Sequence, residues 1–260
     1  MKPTHTKNHI GGHMWDSLQL LAFSPPGWGA VLLRGLFFTI VVAMGAYALG
    51  LLIGFFGAVG KIYGGPVLKT GLEIYTTVIR AVPELVLIML LFYAGQDVLN
   101  AFMKMVGLER VDINPIAAGI VVLGFVQGAY STEVIRAAML SVPKGQIEAA
   151  YAYGMSRLKM LSRIMLPSMI PFAIPGLANL WLIVTKDTAL LAVVGSAELA
   201  TVTRAAAGST RNYLLFYLAA AVLYLALTLV STYLFRKLES RYRPASGDKA
   251  VTGPLIGVGA

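Results

Sequence analysis

Glu73, Arg80, Glu84, Glu133, Arg136, Lys186 and Asp187 carry formal charge within stretches of this sequence that are otherwise apolar. A charge in hydrocarbon is expensive, so such groups pair with one another or face a polar cavity. Glu133 and Arg136 stand three positions apart, neighbours on one helical face, and are expected to form a structural or gating pair. Lys186 and Asp187 are adjacent and point different ways, so each needs another partner. Hydrolytic chemistry is not indicated. There is no H-E-x-x-H and no G-x-S-x-G, and the only histidines, His5, His9 and His13, lie outside the apolar runs, so a nucleophile would lack its base. The histidine spacing mimics a metal site, but Gly11 and Gly12 interrupt any helix there, and no metal site is expected.

The elements that must position these charges follow from composition. The chain has 260 residues, 57% hydrophobic and 13% charged, with a formal net charge of +9. Soluble domains carry roughly 45–50% apolar and 25% charged residues, so this is a membrane composition. About 20 apolar residues cross a bilayer. Five spans are expected, at about 30–59, 66–95, 114–142, 167–194 and 212–235, the second interrupted by Pro83 and the fourth containing Pro171 and Pro175. No signal peptide is expected, because the polar N-terminus lacks a positive region followed by an apolar one. Without cysteine, disulfides and thiolate metal sites are excluded. In the first span Ala46, Gly50, Gly54 and Ala58 form a ladder of small residues, expected to let another helix of this chain approach closely rather than a second subunit.

The net positive charge belongs to loops rather than to a nucleic-acid surface. Lys61 and Lys69 follow the first span; Lys144, Arg157, Lys159 and Arg163 oppose only Glu148 before the fourth. Arg236, Lys237, Arg241, Arg243 and Lys249 oppose Glu239 and Asp248 after the fifth. The remaining loops are nearly balanced: Lys104 and Arg110 face Asp97, Glu109 and Asp112, and Arg204 and Arg211 face Glu198. The positive-inside rule then puts the N-terminus outside and the C-terminus in the cytoplasm.

Among the basic loops, EAAYAYGMSRLKMLSRIMLP, residues 148–167, is the most structured. Apolar residues at 151, 155, 158, 161 and 165 repeat with helical spacing, and Ser156, Lys159 and Arg163 take another face. Pro143 precedes the stretch and Gly154 splits it, which predicts a short helix, a turn and a second helix. Pro167 is tolerated near the start of the span that follows. A basic amphipathic helix lying on a membrane would need neither Glu148 nor the small residues Ala149, Ala150 and Gly154. Small residues let a partner surface approach the backbone, and a carboxylate offers it a charge-assisted contact.

Glu148-Ala149-Ala150, Gly154 and Ile164-Met165-Leu166-Pro167 resemble, in type and spacing, the EAA loop of type I ABC importer permeases. The resemblance covers roughly residues 30–240. It implies an all-α membrane protein, a type I ABC importer transmembrane domain of about five transmembrane helices. Residues 1–29 would be an extracytoplasmic segment, 30–240 the permease domain with its coupling loop at about 143–165, and 241–260 a cytoplasmic tail. It implies that Glu148, Ala149, Ala150, Gly154, Ile164, Leu166 and Pro167 couple the chain to an ATPase subunit. The chain has no G-x-x-x-x-G-K-[ST] loop, so ATP and Mg would be bound by that partner, with no cofactor and no enzyme activity in this chain. Further implied partners are a second, related permease subunit (a heterodimer favoured over a homodimer), an extracytoplasmic binding protein docking near 96–113 and 195–211, and membrane lipid. The implied location is the bacterial inner membrane, multi-pass.

AYSTEVIRAAMLSVPKGQIEAA, KDTALLAVVGSAEL and IRAVPELVLIMLLFYAG are similar to the polar amino-acid branch of these permeases, and to its histidine/lysine/arginine/ornithine and octopine/nopaline members. The Tyr-Ala-Tyr before Gly154 departs from the smaller or basic residues expected there. A cationic amino acid or opine needs acceptors, for which Glu84 and Asp187 are the candidates, and Arg80 could meet the substrate carboxylate by a bidentate contact. The alternatives are a permease for neutral or acidic amino acids, and an ion-coupled secondary transporter, against which no inverted repeat is detectable.

Overall fold

The computed structural model describes residues 19–110 and 112–242. His5, His9, His13, Arg243, Asp248 and Lys249 lie outside the described residues. Helix α1 spans Gly29–Tyr63, α2 Pro66–Ala81, α3 Glu84–Met105, α4 Pro115–Leu140 and α5 Lys144–Ala152. Helix α6, Arg157–Met160, runs through a π segment, Leu161–Met165, into α7, Leu166–Asp187. A 3-10 turn, Thr188–Val194, then leads to α8, Leu199–Thr210, and α9, Tyr213–Tyr242. Among the described residues, 5 helical stretches are long and apolar enough to cross a membrane: α1, α3, α4, the run Arg157–Val194, and α9.

The second expected span is corrected. It was placed at 66–95 with an interruption at Pro83, but Pro83 divides it into two helices. Proline disfavours helical backbone at the residue before it, and Val82 is extended at φ −93°, ψ 138°. Helix α2, with 16 residues, is short for a crossing; α3, with 22, crosses instead and extends the span to Met105. The loop expected at 96–113 is therefore helical over its first ten positions, and most of 195–211 is α8.

Helix α1 packs along α4, and the small residues explain how. A Cβ added at Gly50 would lie 2.7 Å from Gln127 Cγ; one at Gly54 would strike Ser131 and one at Gly57 would strike Thr132. The arrangement is reciprocal, since a Cβ at Gly128 would lie 2.6 Å from Ile53 Cγ2 and one at Gly124 2.7 Å from Leu49 Cδ2. Two backbones can approach this closely only where neither helix carries a larger side chain. The small-residue ladder thus packs within the chain.

At one end of this pair, Ala58, Ile135, Met139, Ala150, Met160 and Met165 form a buried cluster that seats α5 and α6 against α1 and α4. At the other end Leu32, Leu199, Ala206 and Phe216 join α1, α8 and α9. Glu198, which the charge balance had put in a loop, is fully buried there as the N-cap of α8. Its carboxylate accepts from Ala200 N and Thr201 N, each at 2.8 Å, and from the Tyr224 hydroxyl at 3.1 Å. Such an acceptor satisfies backbone donors that the first helical turn leaves open.

Candidate functional site

Three groups of residues carry chemistry. The first lies at the break between α2 and α3. Arg80 is in the last turn of α2 and Glu84 is the first residue of α3, so each charge complements the partial charge of its helix end. The Asp187 carboxyl, at the end of α7, lies within side-chain hydrogen-bonding reach of Glu84. The Tyr130 hydroxyl of α4 is also in reach of Glu84, with Arg80 and Asp187 near enough to act on it electrostatically. Glu84, Tyr130 and Asp187 are half-buried, while Arg80 and Lys186 are exposed. The structure thus brings Asp187, distant in sequence, to Arg80 and Glu84 at a helix discontinuity. Glu73 stands apart, exposed on α2. Sequence reading passed over Tyr130; its one signal was a hydroxyl in a largely apolar run.

The second group joins α1, α2 and α4. Arg136 Nε and Nη2 donate to Glu133 Oε2 at 3.0 and 2.9 Å. The Lys61 ammonium donates to Glu133 Oε1 at 2.6 Å and to Thr76 Oγ1 at 2.7 Å. Lys61, expected in a loop, belongs instead to α1, and its side chain is only 7% exposed. Its spacing from Glu133 in sequence concealed the pair.

The third group is the helix–turn–helix at 144–165. Helix α5 ends at Tyr153, and Gly154 follows in the left-handed region at φ +74°. Gly154 N donates to Tyr151 O at 2.9 Å and Met155 N to Ala150 O at 3.0 Å, the two bonds of a Schellman stop. A residue with a Cβ is strained at this φ, which is why glycine stands here. Past the turn, the π segment widens the helix just before Pro167, whose ring nitrogen can donate to no upstream carbonyl.

The residues expected to couple to a partner divide by face. Glu148, Ala149, Gly154 and Pro167 are exposed. Ala150 is not: at 4% exposure it faces the cluster beneath, and Ile164 and Leu166 pack on the same cluster. The outer face instead includes Tyr153, 87% exposed, and Leu158, 75% exposed. Both belong to the same helix–turn–helix as Glu148. Among the described residues no three His, Cys, Asp or Glu side chains group as a metal site would require.

The chain matches the family described as "Binding-protein-dependent transport system inner membrane component" over residues 48–244. It is 41% identical over 216 residues to the histidine/lysine/arginine/ornithine transport system permease protein HisQ of Escherichia coli (strain K12), covering 83% of this chain and 95% of that one. It is 38% identical over 227 residues to the octopine transport system permease protein OccQ of Rhizobium radiobacter, covering 87% of this chain and 96% of that one. The crystal structure of an amino acid ABC transporter with histidines superposes with a TM-score of 0.70 at 29% identity, over 82% of this chain and 95% of that chain. An all-α chain with five candidate crossings, a charged cluster at a broken helix and a Schellman-capped EAA turn therefore belongs to the family of binding-protein-dependent transport system inner membrane components.

Proposed function

We propose that this permease subunit carries a cationic amino acid or opine through the membrane and that the cluster at the α2–α3 break is where it passes. The observation that carries this reading is the juxtaposition of Glu84 and Asp187. Two carboxylates at hydrogen-bonding separation repel each other, and an ammonium or guanidinium group set between them relieves that repulsion. Arg80, exposed on the same side, offers a bidentate partner for the substrate carboxylate. The Tyr130 hydroxyl lies near Glu84. A discontinuous helix is a recurrent way to bring helix ends and charged groups to a transported solute. The substrates named for the similar permeases, histidine, lysine, arginine, ornithine and octopine, fit this acceptor pair.

On the basic side, the exposed face of Glu148, Ala149, Tyr153 and Leu158 docks an ATP-hydrolysing subunit, which binds ATP and Mg. The buried face of the same element, Ala150, Met160 and Met165, rests on the ends of α1 and α4. A displacement of the docked element is therefore transmitted to the Lys61–Glu133–Arg136 junction that ties α1, α2 and α4 together. That linkage lets the nucleotide state of the partner bias the chain between two packings, the requirement for alternating access. A second, related permease subunit completes the pathway. An extracytoplasmic binding protein delivers substrate to the opposite face, with the N-terminus on that side and the C-terminus in the cytoplasm.

The test is ATPase stimulation of the assembled importer in proteoliposomes, with arginine, histidine, ornithine, octopine, glutamate and glutamine offered separately. Stimulation by the cationic substrates or octopine alone is expected. Equal stimulation by glutamate or glutamine would remove the role given to Glu84 and Asp187.

A further inference from the structure

An apolar groove of about 540 Å³ opens on the side of the molecule between α1, α7 and α9. Met44, Tyr47, Ala48 and Leu51 of α1 form one wall, Leu234 and Leu238 of α9 the other, and Trp181 of α7 the floor. The polar side-chain atoms at the groove are already satisfied. Trp181 Nε1 donates to Ser231 Oγ at 2.9 Å, and the Tyr47 hydroxyl donates to Leu177 O at 2.9 Å. The Tyr47 and Trp181 rings meet edge to face at 5.4 Å, which ties the α1 wall to the floor. What is left facing outward is hydrocarbon and aromatic surface. An occupant must therefore be apolar along the groove.

The charge at one end of the groove narrows the choice. Along α9, Ser231, Leu234, Phe235 and Leu238 recur at helical spacing, and the next positions on or flanking that face are Arg241 and Tyr242. Arg236, Lys237 and Arg241 are all exposed there, against the single acid Glu239. Helix α9 has 30 residues, about ten more than a bilayer crossing needs, so its last turns stand at the membrane–water boundary. An apolar channel within the bilayer that ends in basic groups and a tyrosine at the boundary matches the two parts of an anionic phospholipid.

We propose that this groove is a binding site for one acyl chain of an anionic phospholipid, whose phosphate is held by Arg241 and Lys237. The lipid wedges between α1 and α9 beside Trp181, a helix that continues into Asp187, and so occupies a place distinct from the charged cluster at the α2–α3 break.

Trp181 is a built-in reporter, since brominated acyl chains quench a tryptophan they touch. The assembled importer is reconstituted in phosphatidylcholine vesicles containing equal mole fractions of either dibrominated phosphatidylglycerol or dibrominated phosphatidylcholine. The emission of a matched Trp181→Phe assembly is subtracted to isolate this one residue. The expected result is an apparent association at least fivefold stronger for phosphatidylglycerol, about the size of one basic contact at a membrane surface. In the double variant Lys237→Gln/Arg241→Gln the two lipids should quench alike. Ala48→Phe, which fills the groove from an exposed position, should weaken quenching by both. Equal quenching by the two lipids in the unaltered protein would mean ordinary surrounding lipid and would overturn the site. Absence of quenching by either would mean that a protein surface covers the groove, a second permease subunit or residues 243–260, and would overturn it too.

Discussion

Lys61 Nζ and Glu133 Oε1 lie 2.6 Å apart, although 72 positions separate the two residues in the chain. Their side chains are 7% and 18% exposed, so the contact is a largely desolvated ion pair at the junction of α1 and α4. Thr76 and Arg136 complete the hydrogen bonding that such a pair needs to be stable away from water. Removing one partner strands the other. Lys61→Met should destabilise the chain by about 2–3 kcal/mol, and the double variant Lys61→Met/Glu133→Gln by less, because no carboxylate is then left buried beside a single guanidinium. Thermal unfolding in detergent distinguishes them; equal losses in the two variants would deny the pair its structural weight.

Gly154 provides a second test. Its φ of +74° leaves a Cβ free of neighbours but strained against its own backbone. Gly154→Ala should raise the energy of the turn by about 1–2 kcal/mol, whereas Gly154→Asn, which tolerates this conformation, should lose less. Substrate-stimulated ATPase activity should fall in the same order, with the membrane helices intact by circular dichroism. If alanine and asparagine are equally active, the Schellman stop is not what positions the docking face.

Glu148 is exposed and makes no demand on the fold. Charge reversal in Glu148→Lys should leave thermal stability unchanged while weakening association with the ATPase subunit about tenfold, as for one polar contact at an interface. Co-purification and ATPase titration report this directly. Normal import by the variant would move the docking surface elsewhere.

Glu84→Gln and Asp187→Asn should each reduce stimulation by arginine about tenfold and stimulation by glutamine far less, because only a cation gains from both carboxylates. Tyr130→Phe deletes one hydroxyl beside Glu84 and should have a milder effect on arginine, about fivefold, the size of one polar interaction. A uniform loss across substrates would make all three residues part of the scaffold.

Gly54 sits where a Cβ would strike Ser131. Gly54→Val should push α1 from α4 and destabilise the chain by about 1–3 kcal/mol, measured as a lowered unfolding temperature. Gly145, whose Cβ would meet nothing within 4 Å, should accept the same change with little loss of folded protein.

Helix existence and the helix–turn–helix at 144–165 were legible in the chain because both depend on local information. Long apolar runs announce bilayer crossings, and Pro143, Gly154 and the apolar spacing between them announce a helix, a stop and a second helix. The second span was misplaced for an equally local reason. Apolarity continues across Pro83, so a hydropathy reading joins what the backbone of Val82 and Pro83 divides. Glu198 was misjudged because a carboxylate near a turn reads as solvated until its four acceptor contacts with Ala200, Thr201 and Tyr224 are visible.

The amino-acid sequence by itself determined an all-helical membrane subunit, the ladder of small residues on α1 and the basic helix–turn–helix at 144–165, since each rests on local spacing. Tertiary structure alone decided that the ladder receives α4, that Lys61 reaches Glu133, and that Arg80, Glu84, Tyr130 and Asp187 share one place. Helical periodicity specifies which face a side chain occupies but not which helix lies opposite. That pairing is settled by how closely two backbones can approach, and here glycines 50, 54, 124 and 128 admit one partner at contact distance.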